Sequence, residues 1–196
     1  MMLQVPKIYQ VKITLNGIEP TVWRELRIPS DLFLHDFHKV IQTTMGWENG
    51  HLHQFMKNGR IFGFADDEPE SRSDKFMDYT SIRVMDILKK NGETIRYLYD
   101  FGDYWMHEII LEEILEPDAD VYYPICIDGA RNCPPEDCGG PPGYQEMMKI
   151  FNHPGHPDRE MLLEWLDEEW EPEEFDRELV NDLLMDDDFG CLPGME

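Results

Sequence analysis

Polar and apolar residues alternate through Ile8–Leu15, with Tyr9, Val11, Ile13 and Leu15 on one side and Ile8, Gln10, Lys12 and Thr14 on the other. That is the period of a half-buried strand. A second alternation over residues 21–28 sets Val22, Arg24, Leu26 and Ile28 against Trp23, Glu25 and Arg27. The Asn16-Gly17 turn between them predicts antiparallel pairing through a connection longer than two residues. The period then lengthens. Leu34, Phe37, Ile41 and Met45 recur at helical spacing, with Ser30 as the expected N-cap and Gly46 as the stop. Asn58-Gly59, between runs ending near Phe55 and starting at Arg60, is a strong hairpin signal.

Residues 66–78 are acidic and polar and read as an exposed loop, and residues 82–90 as a short helix closed by Asn91-Gly92. Two further strands, Thr94–Tyr99 and Trp105–Leu115, flank Asp100-Phe101-Gly102-Asp103, where Gly102 is expected to supply the positive φ of the turn. Past residue 143 the helical period returns. Residues 144–151 form a short helix, broken at residues 152–157. Asp158 caps another, with Met161, Leu162, Trp165 and Leu166 on one side. Pro172 starts the last, whose expected buried stripe is Phe175, Leu179, Val180, Leu183 and Leu184. The expected fold is α+β, a mainly antiparallel sheet packed against helices. Residues 1–143 carry the sheet and a cysteine loop, and residues 144–196 form an acidic helical segment packed on it as one structural unit. No internal repeat is visible.

Composition sharpens this in two ways. With 41% hydrophobic and 12% aromatic residues the chain can bury a core, which excludes global disorder. The net charge is −24, and residues 158–196 hold 16 acids against 2 bases. Such a field repels phosphate backbones and argues against direct nucleic-acid binding. It suits a solvated face, divalent cations or a basic protein partner. The N-terminal residues lack the apolar run of a signal peptide, and no uncharged apolar stretch approaches the ~18 residues of a membrane span. The expectation is a cytoplasmic protein with no membrane association, its thiols reduced.

Three of the four cysteines fall within residues 126–138, as Cys126-x6-Cys133-x4-Cys138, in a stretch too rich in Pro and Gly for a helix or central strand. Clustered thiols in a reducing compartment favour a metal or thiol chemistry over a disulfide framework. Zinc takes four ligands from thiolate, imidazole and carboxylate, and Cys126, Cys133 and Cys138 could supply three. His107, His51, His53, Cys191, Glu136 and Asp137 are candidates for the fourth. His107 shares a strand face with Trp105 and completes the set Cys126, Cys133, Cys138 and His107. A closed site of this kind would fasten the loop to the sheet; otherwise the cysteines are small buried hydrophobes.

Two other readings stand beside it. A metal-dependent hydrolase or thiol enzyme would use His51, His53 and His107 with Asp100 and Asp103, or Cys133 or Cys138 as a thiolate. The acids Glu136 and Asp137 beside Cys138 oppose a reactive thiolate. A binding module would instead present its acidic helices to a basic partner, with Trp165 and Trp170 exposed rather than buried.

The strings Val22-Trp23-Arg24, His51-Leu52-His53-Gln54-Phe55, Tyr99-Asp100-Phe101-Gly102-Asp103 with Trp105 and His107, and Cys133-Pro-Pro-Glu-Asp-Cys-Gly-Gly140 occur in this order. Together with Gly143-Tyr144 they make the chain resemble the Ri-plasmid ORF-three-like (pRiA-type) family of bacterial and archaeal proteins over roughly residues 8–185. The resemblance implies an α+β fold, a mainly antiparallel sheet against helices. It implies little about mechanism, because the family is described as uncharacterised. Its association with mobile elements finds no recombinase residues here.

Overall fold

The alternating segments become an eight-stranded sheet. In the computed structural model, which describes residues 6–64, 74–166 and 170–194, the strands are β1 (Ile8–Leu15), β2 (Trp23–Pro29), β3 (His53–Lys57), β4 (Arg60–Gly63), β5 (Phe76–Asp78), β6 (Thr94–Tyr99), β7 (Trp105–Leu115) and β8 (Ile125–Ala130). Their order is β5-β4-β3-β6-β7-β1-β2-β8. Every pairing is antiparallel except β4 with β5.

One face of the sheet is buried and one is polar, the usual outcome for antiparallel strands that alternate. Tyr9, Val11, Ile13, Leu15, Leu26, Ile28, Phe55, Ile95, Ile109 and Leu111 are buried on the inner face. Cross-strand partners such as Ile13 and Ile109 build the core directly. Helix α1 (Leu34–Met45) lies on it through Leu34, Phe37, Val40 and Ile41. Each such side chain contributes roughly 1.5–3 kcal/mol by leaving water. The Phe37 ring stacks on Phe55 with centroids 5.9 Å apart.

The helix begins four residues after the expected cap. The backbone N–H of Ser30 donates to Lys7 O and its carbonyl accepts from Met85 N–H, so the Ser30 backbone is held between these two segments and Phe33 occupies the cap position. Gly46 ends the helix as predicted, at φ 80°, with its N–H on Gln42 O. The hairpin also holds: Lys57 pairs with Arg60 across Asn58 (φ 51°) and Gly59 (φ 76°).

Four readings need correction. Of the predicted loop 66–78, residues 66–73 lie outside the described residues, and Phe76–Asp78 is a strand rather than loop. The helix expected over 82–90 is one turn, α2 (Val84–Ile87). In the turn after β6, positive φ falls on Asp100 (56°) and Tyr104 (63°), not on Gly102. The front of the cysteine segment is edge strand β8, paired to β2.

Helices α3 (Gly140–Phe151), α4 (Arg159–Trp165) and α5 (Arg177–Leu183) follow. Leu166, Val180 and Leu184 join the core; Met161 and Trp165 are 65% and 52% exposed, so half of the first expected stripe faces water, whereas in the last, which starts at Arg177 rather than Pro172, only Leu179 does. Trp170 is partly buried, and its indole donates to Cys133 O. No helix among the described residues is long and apolar enough to cross a membrane.

Candidate metal centre

Three of the quoted strings meet at one place. The chain leaves α1 through Trp47, whose ring is buried against Tyr99 (centroids 5.0 Å) and meets His107 edge-on (5.3 Å). Its indole N–H donates to Pro134 O at 3.0 Å, tying the cysteine loop to this wedge. His51 follows, just ahead of β3. Because β3 lies beside β6, the turn that starts at Asp100 comes alongside it, and Asp100 N–H donates to Leu52 O at 2.9 Å.

The loop beyond β8 closes the arrangement. Gly139 N–H donates to Asp103 Oδ2 at 3.0 Å. A Cβ on Gly140 would stand 2.2 Å from Asp103 O, and one on Gly143 would stand 2.0 Å from Cys138 O. Only glycine permits the first approach, of turn to loop, and the second, of the loop to the helix that follows it.

Around His51 the carboxylates are oriented one oxygen at a time. Glu136 Oε1 accepts Tyr99 O–H and Glu48 N–H, both at 2.8 Å, while its Oε2 stands 3.6 Å from His51 Nε2. Asp100 Oδ1 accepts Gly102 N–H at 2.7 Å, while its Oδ2 stands 3.8 Å from His51 Nδ1. Asp137 Oδ1 is 3.4 Å from His51 Nε2 on the exposed side. One ligand atom from each of His51, Asp100 and Asp137 lies within 4.8 Å of the others, and this is the group of such geometry found among the described residues. Asn49, Asp100, Tyr104 and Asp137 are four of the eight non-glycine residues with positive φ among the described residues. Backbone of this kind concentrates where a local geometry is being held.

The predicted thiol set is not brought together. Cys126 lies in β8, its Sγ on Asp128 O at 3.4 Å. Cys133 is buried, its Sγ 3.1 Å from Met45 Sδ. Cys138 is half-buried at the start of the Gly-Gly turn. His107 is fully buried on β7, donating from Nδ1 to Tyr97 O at 3.3 Å. Burial pushes Cys126 and Cys133 up to about 11 against the opposing pull of Arg24. It pushes Cys138 up to about 12, helped by Asp103. Thiols so placed are poor nucleophiles. Cys191, raised to about 11 by burial, follows the short 3-10 turn near the C-terminus.

His53 does not join the His51 group. Its ring stacks face to face on His38, centroids 3.3 Å apart, and its Nε2 meets Tyr79 O–H at 2.8 Å. Asp103 holds the Gly139 amide rather than a histidine. Sequence reasoning thus named His51 with Asp100 in the hydrolase reading, and Glu136 and Asp137 only as partners of the thiols. It missed Tyr99, whose hydroxyl orients Glu136 and accepts Gly50 N–H at 3.0 Å; its place in the Tyr-Asp-Phe-Gly-Asp string was the available signal.

The profile of a family described as plasmid pRiA4b ORF-3-like protein matches residues 7–179. A relative from Sinorhizobium fredii (strain NBRC 101917 / NGR234), described as uncharacterized protein y4hQ, is 35% identical over 162 residues, covering 82% of this chain and 81% of its own. A crystal structure of a protein of unknown function, MM3350 from Methanosarcina mazei Go1, matches with a TM-score of 0.77 and 33% identity. That match covers 89% of this chain and 98% of the solved one.

Proposed function

The chain belongs to the plasmid pRiA4b ORF-3-like family, and from that premise we propose that it is a metal-binding module. A divalent cation bridges His51, Asp100 and Asp137 and fastens the loop after β8 to the turn after β6. The observation that carries this reading is the convergence of those three side chains, with ligand atoms within 4.8 Å of one another. Glu136 stands beside these three, its second oxygen turned toward His51.

One imidazole with oxygen donors suits zinc or manganese better than calcium, which takes oxygen ligands alone. The hydrogen bonds that pin the outer oxygens of Asp100 and Glu136 are of the type that orients metal ligands. The cation expected from the cysteine spacing is retained, and its ligands are reassigned. The ligands come from three separate chain segments, so binding contributes directly to the order of a loop with little core of its own.

Elemental analysis of protein purified without a histidine tag and dialysed against zinc tests this. The expected result is one equivalent of zinc in the parent and in Cys133→Ser/Cys138→Ser, and none in Asp100→Asn/Asp137→Asn. Zinc lost with the thiols and kept without the carboxylates would return the site to the cysteine loop.

A further inference from the structure

A cavity of about 430 Å³ opens beside His51, within the size range of small-molecule sites. Its inner surface includes His38, His53 and Tyr79, and Leu52 and Phe64 stand at its exposed margin. Apart from His35 Nδ1, which is buried without a partner, the inner polar atoms are largely engaged, and Lys39 is paired with Asp36 and Asp188. Tyr97 O–H donates to His38 Nδ1, because it receives Gln42 Nε2–H; His38 Nε2–H donates to Asn49 Oδ1, whose amide donates in turn to Leu192 O. His53 Nε2 is held by Tyr79. What the cavity offers a ligand is therefore apolar area at its margin, since His38 and Tyr79 are each 4% exposed and the His38 and His53 faces cover one another. Leu52 and Phe64, 72% and 67% exposed, supply that apolar area.

His51 is shared between this cavity and the metal centre. A cation there would meet the cavity at His51, the one of its three ligands that lines it, and can hold positions open for an outside oxygen. On a chain of net charge −24, an anion finds few attractive places elsewhere.

We propose that the cavity binds a small aromatic acid. Its ring packs between Leu52 and Phe64 against the part of His53 that stays open, and its carboxylate coordinates the cation at His51. The head-group contact rests on the metal reading above; the ring contact rests on the cavity alone. The site selects an apolar body with an oxygen chelating head, because neither feature by itself uses both ends of it.

Salicylate is a suitable probe, with acetate as the head without the ring and phenol as the ring without the carboxylate. Calorimetric titration into zinc-loaded protein should give salicylate binding at least about tenfold tighter than acetate or phenol, and at least about tenfold tighter than to metal-free protein. Phe64→Ser should weaken salicylate about tenfold and leave zinc stoichiometry at one. Equal affinity in Phe64→Ser, equal affinity without metal, or no binding to protein that retains zinc would each overturn the proposal. A parent protein that takes up no zinc at all would instead bring down the metal reading, and elemental analysis of the same sample separates the two failures.

Discussion

Arg24 sits at an inward position between Val22 and Leu26 and is 1% exposed. The alternation in residues 21–28 already placed it on the apolar side, so its burial was legible; what satisfies it was not. Its Nε donates to Thr44 O at 2.7 Å, Nη1 to Trp23 O and Ala130 O, and Nη2 to Arg131 O at 2.8 Å. Phe175 covers the guanidinium at 3.8 Å. All these acceptors are backbone carbonyls, at the end of α1 and along the edge where β2 meets β8. One planar fork therefore joins helix, sheet and cysteine segment, which the ammonium of lysine cannot reproduce. Arg24→Lys should lower unfolding free energy by about 3 kcal/mol, from lost charged hydrogen bonds and carbonyls left unpaired. Urea denaturation followed by tryptophan fluorescence measures it. A loss below about 1 kcal/mol would mean that water or a rearranged neighbour replaces the fork.

At the scale of elements, the long strands were readable because period-two patterning is local: Ile8–Leu15, Thr94–Tyr99 and Trp105–Leu115 appear with the bounds read from the sequence. Strands β5 and β8 were not, since one is three residues long and the other is embedded among Pro, Gly and Cys. The convergence of His51, Asp100 and Asp137 was hidden for a related reason. Spacing groups residues that are near in sequence, so Cys126, Cys133 and Cys138 looked like a set. In the fold, strand order decides neighbours: β3 beside β6 joins His51 to Asp100, and the loop after β8 returns to supply Glu136 and Asp137. That loop depends on β8, an edge whose exposed backbone needs protection. Asn181 of α5 supplies it, its amide oxygen accepting Cys126 N–H at 2.7 Å and its amide nitrogen donating to Cys126 O at 2.9 Å. Asn181→Ala should cost about 1–2 kcal/mol and speed hydrogen exchange at the Cys126 amide more than at β1 or β7. Unchanged exchange at Cys126 would show that the strand holds itself without the helix.

For the molecule as a whole, the widest consequence of burial is its response to acid. His38 in α1, His53 in β3 and His107 in β7 are all enclosed. Burial lowers His38 and His107 to about 4, and lowers His53 well below its ordinary value, with the neighbouring His38 ring adding to the effect. The folded state thus keeps them neutral where the unfolded chain, titrating near 6.5, takes protons up. Their stabilising effect is fully present above the unfolded pKa and is lost as pH falls from about 6.5 toward the folded values. Each proton contributes a slope of up to about 1.4 kcal/mol per pH unit, so three together approach about 4 kcal/mol per unit. The opposing effect, relief of repulsion among 41 acids against 17 Lys and Arg residues, sets in mainly as carboxylates protonate near pH 4–4.5. Between pH 6.5 and 5 the histidines should therefore dominate, and urea midpoints should fall steadily across that window. A His107→Gln variant, though less stable at pH 7.5, should show a shallower fall, with one proton removed from the difference. Midpoints that hold constant or rise from pH 6.5 to 5, with the parent slope unchanged in His107→Gln, would show that the enclosed imidazoles gain their protons without unfolding and that charge relief governs this fold in acid.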